Sequence, residues 1–418
     1  MNPVEKHVKI AKRNEIILID ISTWRGHHAI YFKSILRSLI ERNYFVHATC
    51  EDNTDLSKWI KSLNEQNCSV LDFKLSLIEK IFFKSLFILD KIIKLVSKNS
   101  PYQFSSVASI LFSKNLIRKI GRDVPVFFAD ADTSLPAIPY WFAKLLMPSQ
   151  WMTLVIQPSY KSSIAWGRQK SRKRFVAEKL FALPSCKAIL VLHPIYLKFY
   201  ESRFHVKKFV ALPEITDVTI GKEYEVPKNI YHLAAGRKIV SITGALLPKR
   251  NLKLFLEAAQ KLDPEKYFIL AIGHLPSQLY TTVETQLIKK LSSSLSNNSY
   301  LRFDYYISEE GEFNQLLTIS DIIYLQYQNH SFSSNILTKA IYLRKPVIIA
   351  DNFIMKKVLK EYHWGYVVPQ EPHQIALSIA TISNDFIINE EKYQQFLTDF
   401  SSEKFNLAIC NALELLEQ

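Results

Sequence analysis

In SFSSNILTKAIYLRKPVIIAD, Ser331 to Asp351, small polar residues stand directly before an apolar pattern at helical spacing. Ser331, Ser333, Ser334 and Asn335 are residue types that cap helix starts, and Ile336, Leu337, Ala340, Ile341 and Leu343 recur every three or four positions. The spacing predicts a helix beginning near Ser333. Arg344, Lys345 and Pro346 close it with positive charge and a residue that cannot continue it, and Val347 to Ala350 reads as a short buried strand. Free amides and the positive dipole end of such a helix favour an anion, most often phosphate. An αβ unit with nothing bound carries the same signature.

A second basic element points to the same chemistry. Pro248, Lys249, Arg250 and Asn251 lie between a predicted strand and a predicted helix. A guanidinium at such a loop makes bidentate, charge-assisted bonds to phosphate, each worth about 1.5 to 3 kcal/mol. Arg250 is the first candidate, and Lys249 reads as a solvated charge. The chain has only 9 glycines. Gly26 and Gly244 each follow a predicted strand and precede a helix, and Gly273 ends another, where backbone turns sharply or approaches a ligand. None belongs to GxGxxG or GxxxxGK[ST], which disfavours a dinucleotide dehydrogenase or a P-loop enzyme.

The elements that position these residues follow an α/β grammar. Strand Glu15 to Ile21, a loop through Trp24 to His28, a helix from Ala29 to Arg42 and strand Tyr44 to Thr49 open the chain. This start predicts a parallel sheet with helices on both faces. Further strands are expected at Val126 to Ala129, Met152 to Gln157 and Ala188 to Leu192. The second half repeats the pattern: strand Lys238 to Thr243, helix Lys253 to Lys261, then strands Tyr267 to Ile272, Ser299 to Phe303 and Ile322 to Leu325. Leu212 to Gly236 reads as a linker. The expected organisation is two doubly wound Rossmann-like domains, residues 1–215 and 216–400, facing across a cleft, with residues 401–418 as a helix returning to the first.

Composition bounds the function. At 418 residues, with 48% hydrophobic and 12% aromatic, the chain can bury two sizeable cores. The amino terminus has no apolar h-region, and no run of about 18 apolar residues occurs, so neither a signal peptide nor a spanning helix is expected. Cys50, Cys68, Cys186 and Cys410 are too few and dispersed for a disulfide framework or a CxxC metal site, which points to a reduced, cytoplasmic protein. The net charge of +14 calls for an anionic partner. Arg168, Lys170, Arg172, Lys173 and Arg174 lack interleaved aromatics, and no nucleic-acid-binding motif accompanies them, so nucleic acid is disfavoured. Anionic headgroups and nucleotide phosphates account for the excess more directly. From Glu79 to Lys98, Lys80, Lys84, Lys91, Lys94 and Lys98 share a narrow helical face while apolar residues fill the rest. Such a helix is either a core helix with one solvated face or an interfacial helix lying on an anionic membrane, peripheral to its inner face.

ITGALLPKRNLKLFLEAA, ILAIGHL, SDIIYLQY, SFSSNILTKAIYLRKPVIIAD and GYVVP, in that order, resemble the C-terminal domain of retaining GT-B glycosyltransferases of the large family that includes sucrose and glycogen synthases. RGHHAIYFKSILRSLIERNYFVHATCED looks like that family's first strand, glycine loop and helix. The resemblance implies transfer of a sugar from a nucleotide sugar to a hydroxyl of a glycan or lipid-linked acceptor, as in polysaccharide biosynthesis, with retention and without a metal. It puts Arg250 on the donor diphosphate, with Gly244, Ser333, Ser334 and Asn335 lining the nucleotide site. Ala245 stands where the family has a second phosphate-binding arginine. Ser331 and Lys339 occupy the Glu-x7-Glu positions, which leaves Lys339 to reach the ribose or add charge at the diphosphate as a catalytic residue. Gly26, His27 and His28 fall on the loop facing the acceptor and the reaction centre, with His28 a catalytic candidate, and Gln157 replaces a histidine near the donor sugar. Asp130 and Asp132 form a DxD of the kind that holds manganese in the other major glycosyltransferase fold, but positive side chains and a helix terminus do the metal's work in GT-B enzymes. A non-catalytic binding or scaffold protein and a sugar-nucleotide epimerase are the alternatives.

Overall fold

A computed structural model describes residues 14–21, 27–71, 77–97, 100–160, 171–205, 208–295 and 298–417. The chain divides into two units, Met1–Pro213 with Ser402–Gln418, and Glu214–Ser401. In the first, strands β1 (Glu15–Ile19), β2 (Phe45–Thr49), β3 (Cys68–Val70), β4 (Val126–Phe128), β5 (Trp151–Val155), β6 (Cys186–Leu192) and β7 (Phe209–Leu212) form one parallel sheet in the order 3-2-1-4-5-6-7. Ile16 to Ile19 and Ala188 to Val191 are fully buried, as continuous apolar strands covered on both faces must be. The helices that matter for the site are α1 (His27–Glu41), α2 (Asn53–Ser62), α3 (Leu77–Val96), α4 (Ala108–Ile120), α5 (Ala131–Ser134), α6 (Tyr140–Leu146), α7, described over residues 171–178, and α8 (Leu197–Phe204).

The second unit has a six-stranded parallel sheet, order 10-9-8-11-12-13, from β8 (Lys238–Thr243), β9 (Tyr267–Ile272), β10 (Tyr300–Phe303), β11 (Ile322–Leu325), β12 (Val347–Ile349) and β13 (Tyr366–Val367). Its helices are α9 (Glu225–Ala234), α10 (Leu252–Ala259), α11 (Thr282–Ser293), α12 (Glu310–Ile319), α13 (Asn335–Tyr342), α14 (Phe353–Tyr362), α15 (Pro372–Asp385) and α16 (Glu390–Asp399). Helix α17 (Ser402–Glu417) belongs to the first unit, where it packs on β6, β7 and α1. Phe405 lies beside Tyr31, and the Ser38 hydroxyl donates to Asn406 Oδ1 at 2.6 Å. Both sheets are parallel and helix-covered, the α/β GT-B architecture.

The stretch expected as linker contains α9. Val226, Ile230 and Ala234 pack on Phe268, Leu270 and Leu316, and Pro227 sits in the first turn, where its missing N–H costs nothing. The short edge strands β3, β7 and β13 carry too few residues to show a period, and the sequence reading passed over them as strands.

Two glycines set the loop after β8. A Cβ on Gly273, φ +142°, would lie 2.0 Å from the Gly244 carbonyl oxygen, so the backbones at the ends of β8 and β9 are in contact. Gly273→Ala is expected to destabilise the second unit by about 3 kcal/mol in urea unfolding. Gly236→Ala, at φ +81° but in open space, is expected to lose only about 1 kcal/mol.

Candidate functional site

In an open parallel sheet, ligands bind outside the carboxyl ends of the strands where the strand order reverses. The reversals fall between β8 and β11 in the second unit and between β1 and β4 in the first. In the second unit Gly244 ends β8 at φ +98°, its amide donating to Ile272 O at 2.9 Å. The chain then makes a 3₁₀ turn, Pro248–Arg250, that turns Arg250 back over the strand end. Arg250 is buried, its Nη2 donates to Thr243 O at 2.6 Å, and its guanidinium lies 5.1 Å from the centre of the Tyr327 ring. Tyr327 Oη is in turn 3.2 Å from Ser334 Oγ. The cation is thus oriented by a strand carbonyl and an aromatic face, while Lys249 beside it is exposed.

Helix α13 opens at Asn335, and its N-cap Ser334 makes no side-chain cap bond. Four buried polar atoms belong to this crevice and its rim: Thr243 Oγ1, Arg250 Nε, Gln326 Oε1 and Asn335 Oδ1, each without a hydrogen-bond partner among the described residues. An orphaned buried polar atom costs about 1 to 3 kcal/mol, so a cluster of them marks a place completed by a polar ligand. His330 stays neutral beside it. Burial and the charges of Lys249 and Arg250 push it down to about 4, and its Nε2–H donates to Ser333 O at 3.2 Å.

Two expected ligand residues are engaged elsewhere. Lys339, expected to act at the ribose or diphosphate, is 1% exposed, and its three N–H donors meet Asn314 Oδ1 at 2.7 Å, Glu310 Oε1 at 2.7 Å and the Asp217 carbonyl. Burial lowers its pKa and Glu310 opposes that shift. A satisfied ammonium has no donor left for a ligand, so Lys339 is corrected from a catalytic residue to one that fixes segment 214–219. Ser333 is likewise taken, its hydroxyl donating to Glu214. Glu214 is a buried carboxylate that sequence reasoning missed. It lies far from α13 in sequence, and burial raises its pKa while Ser333 and Thr338 pull it down. Thr243 and Gln326 were missed too, since a buried threonine or glutamine at a strand end has no signature.

In the first unit Asp20 and Asp130 lie just beyond the ends of β1 and β4. His28 is in the first turn of α1, not on a loop as expected, and its Nδ1 is 3.7 Å from Asp130 Oδ2. His27 also falls in α1, with its side chain outside the described set, and Gly26 lies outside the described residues. His28, Asp130, Gln157, Lys173 and Arg174 line a cavity of about 430 Å³. The DxD aspartates diverge. Asp130 caps α5 through the Asp132 amide at 2.7 Å and the Thr133 hydroxyl at 2.9 Å, while Asp132 accepts from Arg174 and from the Gln157 amide at 2.8 Å. Arg174 also donates to Ala131 O at 2.6 Å, so Arg174 and Lys173 of the basic run are built into the cavity wall, while Arg172 is exposed. Asp20, His28 and Asp130 offer ligand atoms within 4.8 Å of one another. Asp130 Oδ1 and Oδ2 each accept one hydrogen bond, which leaves each oxygen a lone pair for a further partner.

Residues 226–396 match the family model described as glycosyl transferases group 1. That match covers most of the second unit, which is a glycosyltransferase domain of that family. Among solved structures, sucrose-phosphate synthase from Thermosynechococcus elongatus is similar over 97% of this chain and 99% of its own, with 14% identity and a TM-score of 0.67. The Anabaena protein HepE in complex with UDP is similar over 96% of this chain and 99% of its own, with 12% identity and a TM-score of 0.62. A glycosyltransferase from Rickettsia africae covers 97% of this chain and 98% of its own, at 14% identity and a TM-score of 0.62. No curated protein sequence matches.

Lys339→Ala is expected to cost about 3 to 5 kcal/mol by removing the buried cation that Glu310, Asn314 Oδ1 and the Asp217 carbonyl share. Nucleotide affinity of the folded fraction, read by calorimetry, should fall, but less than for a residue that touches the ligand, because Lys339 acts on the start of α13 only through segment 214–219. His330 takes up a proton more readily in the unfolded chain, near its ordinary value of about 6.5, than in the folded one near about 4. Stability of the glycosyltransferase should therefore fall as pH drops from about 6.5 to about 4, and His330→Gln should flatten that part of the curve in denaturant titrations at stepped pH.

Proposed function

We propose that this glycosyltransferase moves a sugar from a nucleoside-diphosphate sugar to a hydroxyl of a glycan or lipid-linked acceptor, with retention and without a metal ion. The observation that carries the donor half is the set of unsatisfied polar atoms around Arg250 at the β8/β11 reversal. A nucleoside-diphosphate sugar supplies what they lack: anionic diphosphate oxygens for Arg250 and for the amides at the start of α13, and ribose or sugar hydroxyls for the remaining acceptors. Similar proteins have been solved with UDP and with UDP-glucose, which makes uridine the first base to test.

The chemistry follows from charge. The acceptor oxygen bonds to the anomeric carbon on the face that the diphosphate leaves, the carbon–oxygen bond to the diphosphate breaks, and the acceptor proton passes to a departing diphosphate oxygen. Negative charge grows on that leaving group, and a fixed guanidinium in a site that excludes water stabilises it. On the acceptor side His28, held by Asp130, and Gln157 line the cavity of the first unit and are suited to binding sugar hydroxyls. Free cysteines, three of them buried, fit a reducing cytoplasmic location.

A second reading, a nucleotide-binding protein without turnover, is favoured by Lys339, which replaces a ligand carboxylate with a structural cation. Glu214 argues against it, because it returns a buried carboxylate to the start of α13 from another segment. Arg250→Ala is expected to weaken UDP binding about 10- to 100-fold by calorimetry, since one bidentate charge-assisted contact is lost. Transfer from a panel of UDP-, GDP- and ADP-sugars should fall with it. Binding without turnover on any donor would favour the second reading, and conversion of donor alone to an isomer would identify an epimerase.

A further inference from the structure

Helix α3 is held to the first unit by a narrow stripe. Leu86 and Asp90 are buried and Ile93 is partly so, and Asp90 Oδ1 accepts the Phe104 amide at 2.6 Å. The rest faces outward. Leu77, Ile81, Ile88, Ile92 and Leu95 recur at helical spacing on one face, with Ile88 59% and Leu95 83% exposed. Lys84 and Lys91, seven residues apart, flank that face, and Lys94 follows; all are exposed. Lys80 and Lys98 lie where side chains are not described. Asp90, the acidic side chain described on this helix, points inward.

A second exposed apolar group lies on α6, linked to α3 through its inner side. Phe104, in the 3₁₀ turn packed on α3, lies 5.9 Å from Phe142 of α6, which lies 5.6 Å from Trp141. Trp141 is 67% and Leu145 68% exposed, and Lys144 beside them is exposed too. Apolar residues with an indole, whose exposed charged neighbours among the described side chains of α3 and α6 are all lysines, match an interface of acyl chains below and anionic headgroups above. No described helix is long and apolar enough to cross a membrane, so α3 and α6 would lie on it.

We propose that α3 and α6 form a docking surface for an anionic phospholipid bilayer. The charge of the chain complements it at +14, and the surface adjoins the His28 cavity, because Gln103 next to Phe104 accepts from Lys173 of the cavity wall at 3.1 Å. If that cavity takes the acceptor, as the functional reading holds, the docked unit meets lipid-linked acceptors at the membrane surface. Docking itself does not require the transfer reaction and is measured without it.

The test is sedimentation of the full chain with vesicles of phosphatidylcholine alone or with a third phosphatidylglycerol. Binding is expected only with the anionic vesicles and should weaken at least tenfold between 50 and 300 mM salt, order-of-magnitude figures set by charge screening. The triple variant Ile88→Glu, Ile92→Glu and Leu95→Glu should abolish it while leaving the melting temperature unchanged, since all three side chains are exposed. Lys84→Glu with Lys91→Glu should weaken it at low salt. Absence of binding, equal binding to both vesicles, or loss of a lipid-free oligomer on the triple substitution would overturn the proposal, the last by making this face an interface between copies of the chain. Failure of transfer assays with vesicle binding intact would count against the functional reading alone.

Discussion

One buried positive charge holds the donor site in place. Taking an ammonium out of water costs several kcal/mol unless each of its donors finds an acceptor, and Lys339 finds three. Asn314 and Glu310 come from α12, and the Asp217 carbonyl comes from the segment before α9. Asn314 also donates from Nδ2 to the carbonyls of Asp217 at 3.1 Å and Thr219 at 2.9 Å, so lysine and amide clamp that segment from both sides. With the segment fixed, Glu214 reaches the Ser333 hydroxyl. The start of α13, where an anion would sit, is therefore positioned by a residue that contributes nothing to the anion directly.

That arrangement leaves the donor site with little charge of its own. Lys339 is neutralised within the fold, Ala245 brings none, and His330 is kept uncharged by burial and its cationic neighbours. Arg250 and the amides of α13 carry the positive field, with Lys249 at the exposed edge. A single guanidinium suffices if it is already oriented, because a preorganised donor spends no free energy turning toward developing charge. Thr243 O, the Tyr327 face and the Gly244 turn provide that orientation. The carboxylate at the start of α13 is Glu214, which arrives from a different part of the chain than a Glu-x7-Glu motif would use.

The fold was readable because buried parallel strands leave a strong pattern. Lys238–Thr243, Tyr267–Ile272 and Ile322–Leu325 have the bounds expected from their apolar runs. Helix α9 was not readable, since its proline and glycine flanks imitate a loop and its packing on Phe268 and Leu316 is what holds it as a helix. Arg250 stood out in the sequence as a basic loop residue before a helix, and it lies buried at the end of β8 with its Nη2 on Thr243 O; its contact with a diphosphate is the proposal. Lys339 was misread because spacing places a residue on a helix face but does not say what lies opposite, and Asn314 and Asp217 are distant in sequence. Glu214 was invisible for the same reason.

The two strand-order reversals use one geometry for opposite chemistry, and the difference lies in single residues at strand ends. After β8 a glycine and a 3₁₀ turn return a guanidinium to the crevice, whose orphaned atoms call for an anion. After β4 Asp130 is followed at once by α5, and capping that short helix uses both of its oxygens. The next carboxylate, Asp132, is rotated away by the helical backbone into the Arg174 pair, so a DxD sequence yields one helix cap and one ion-paired wall residue. Facing the cavity beside the Asp132–Arg174 pair are the His28 imidazole, the hydrogen-bonded Asp130 carboxylate, Gln157 and Lys173. The proposed division of the reaction, with the anion at the second unit's reversal and the hydroxyls at the first's, rests on that difference between the residues after β8 and after β4.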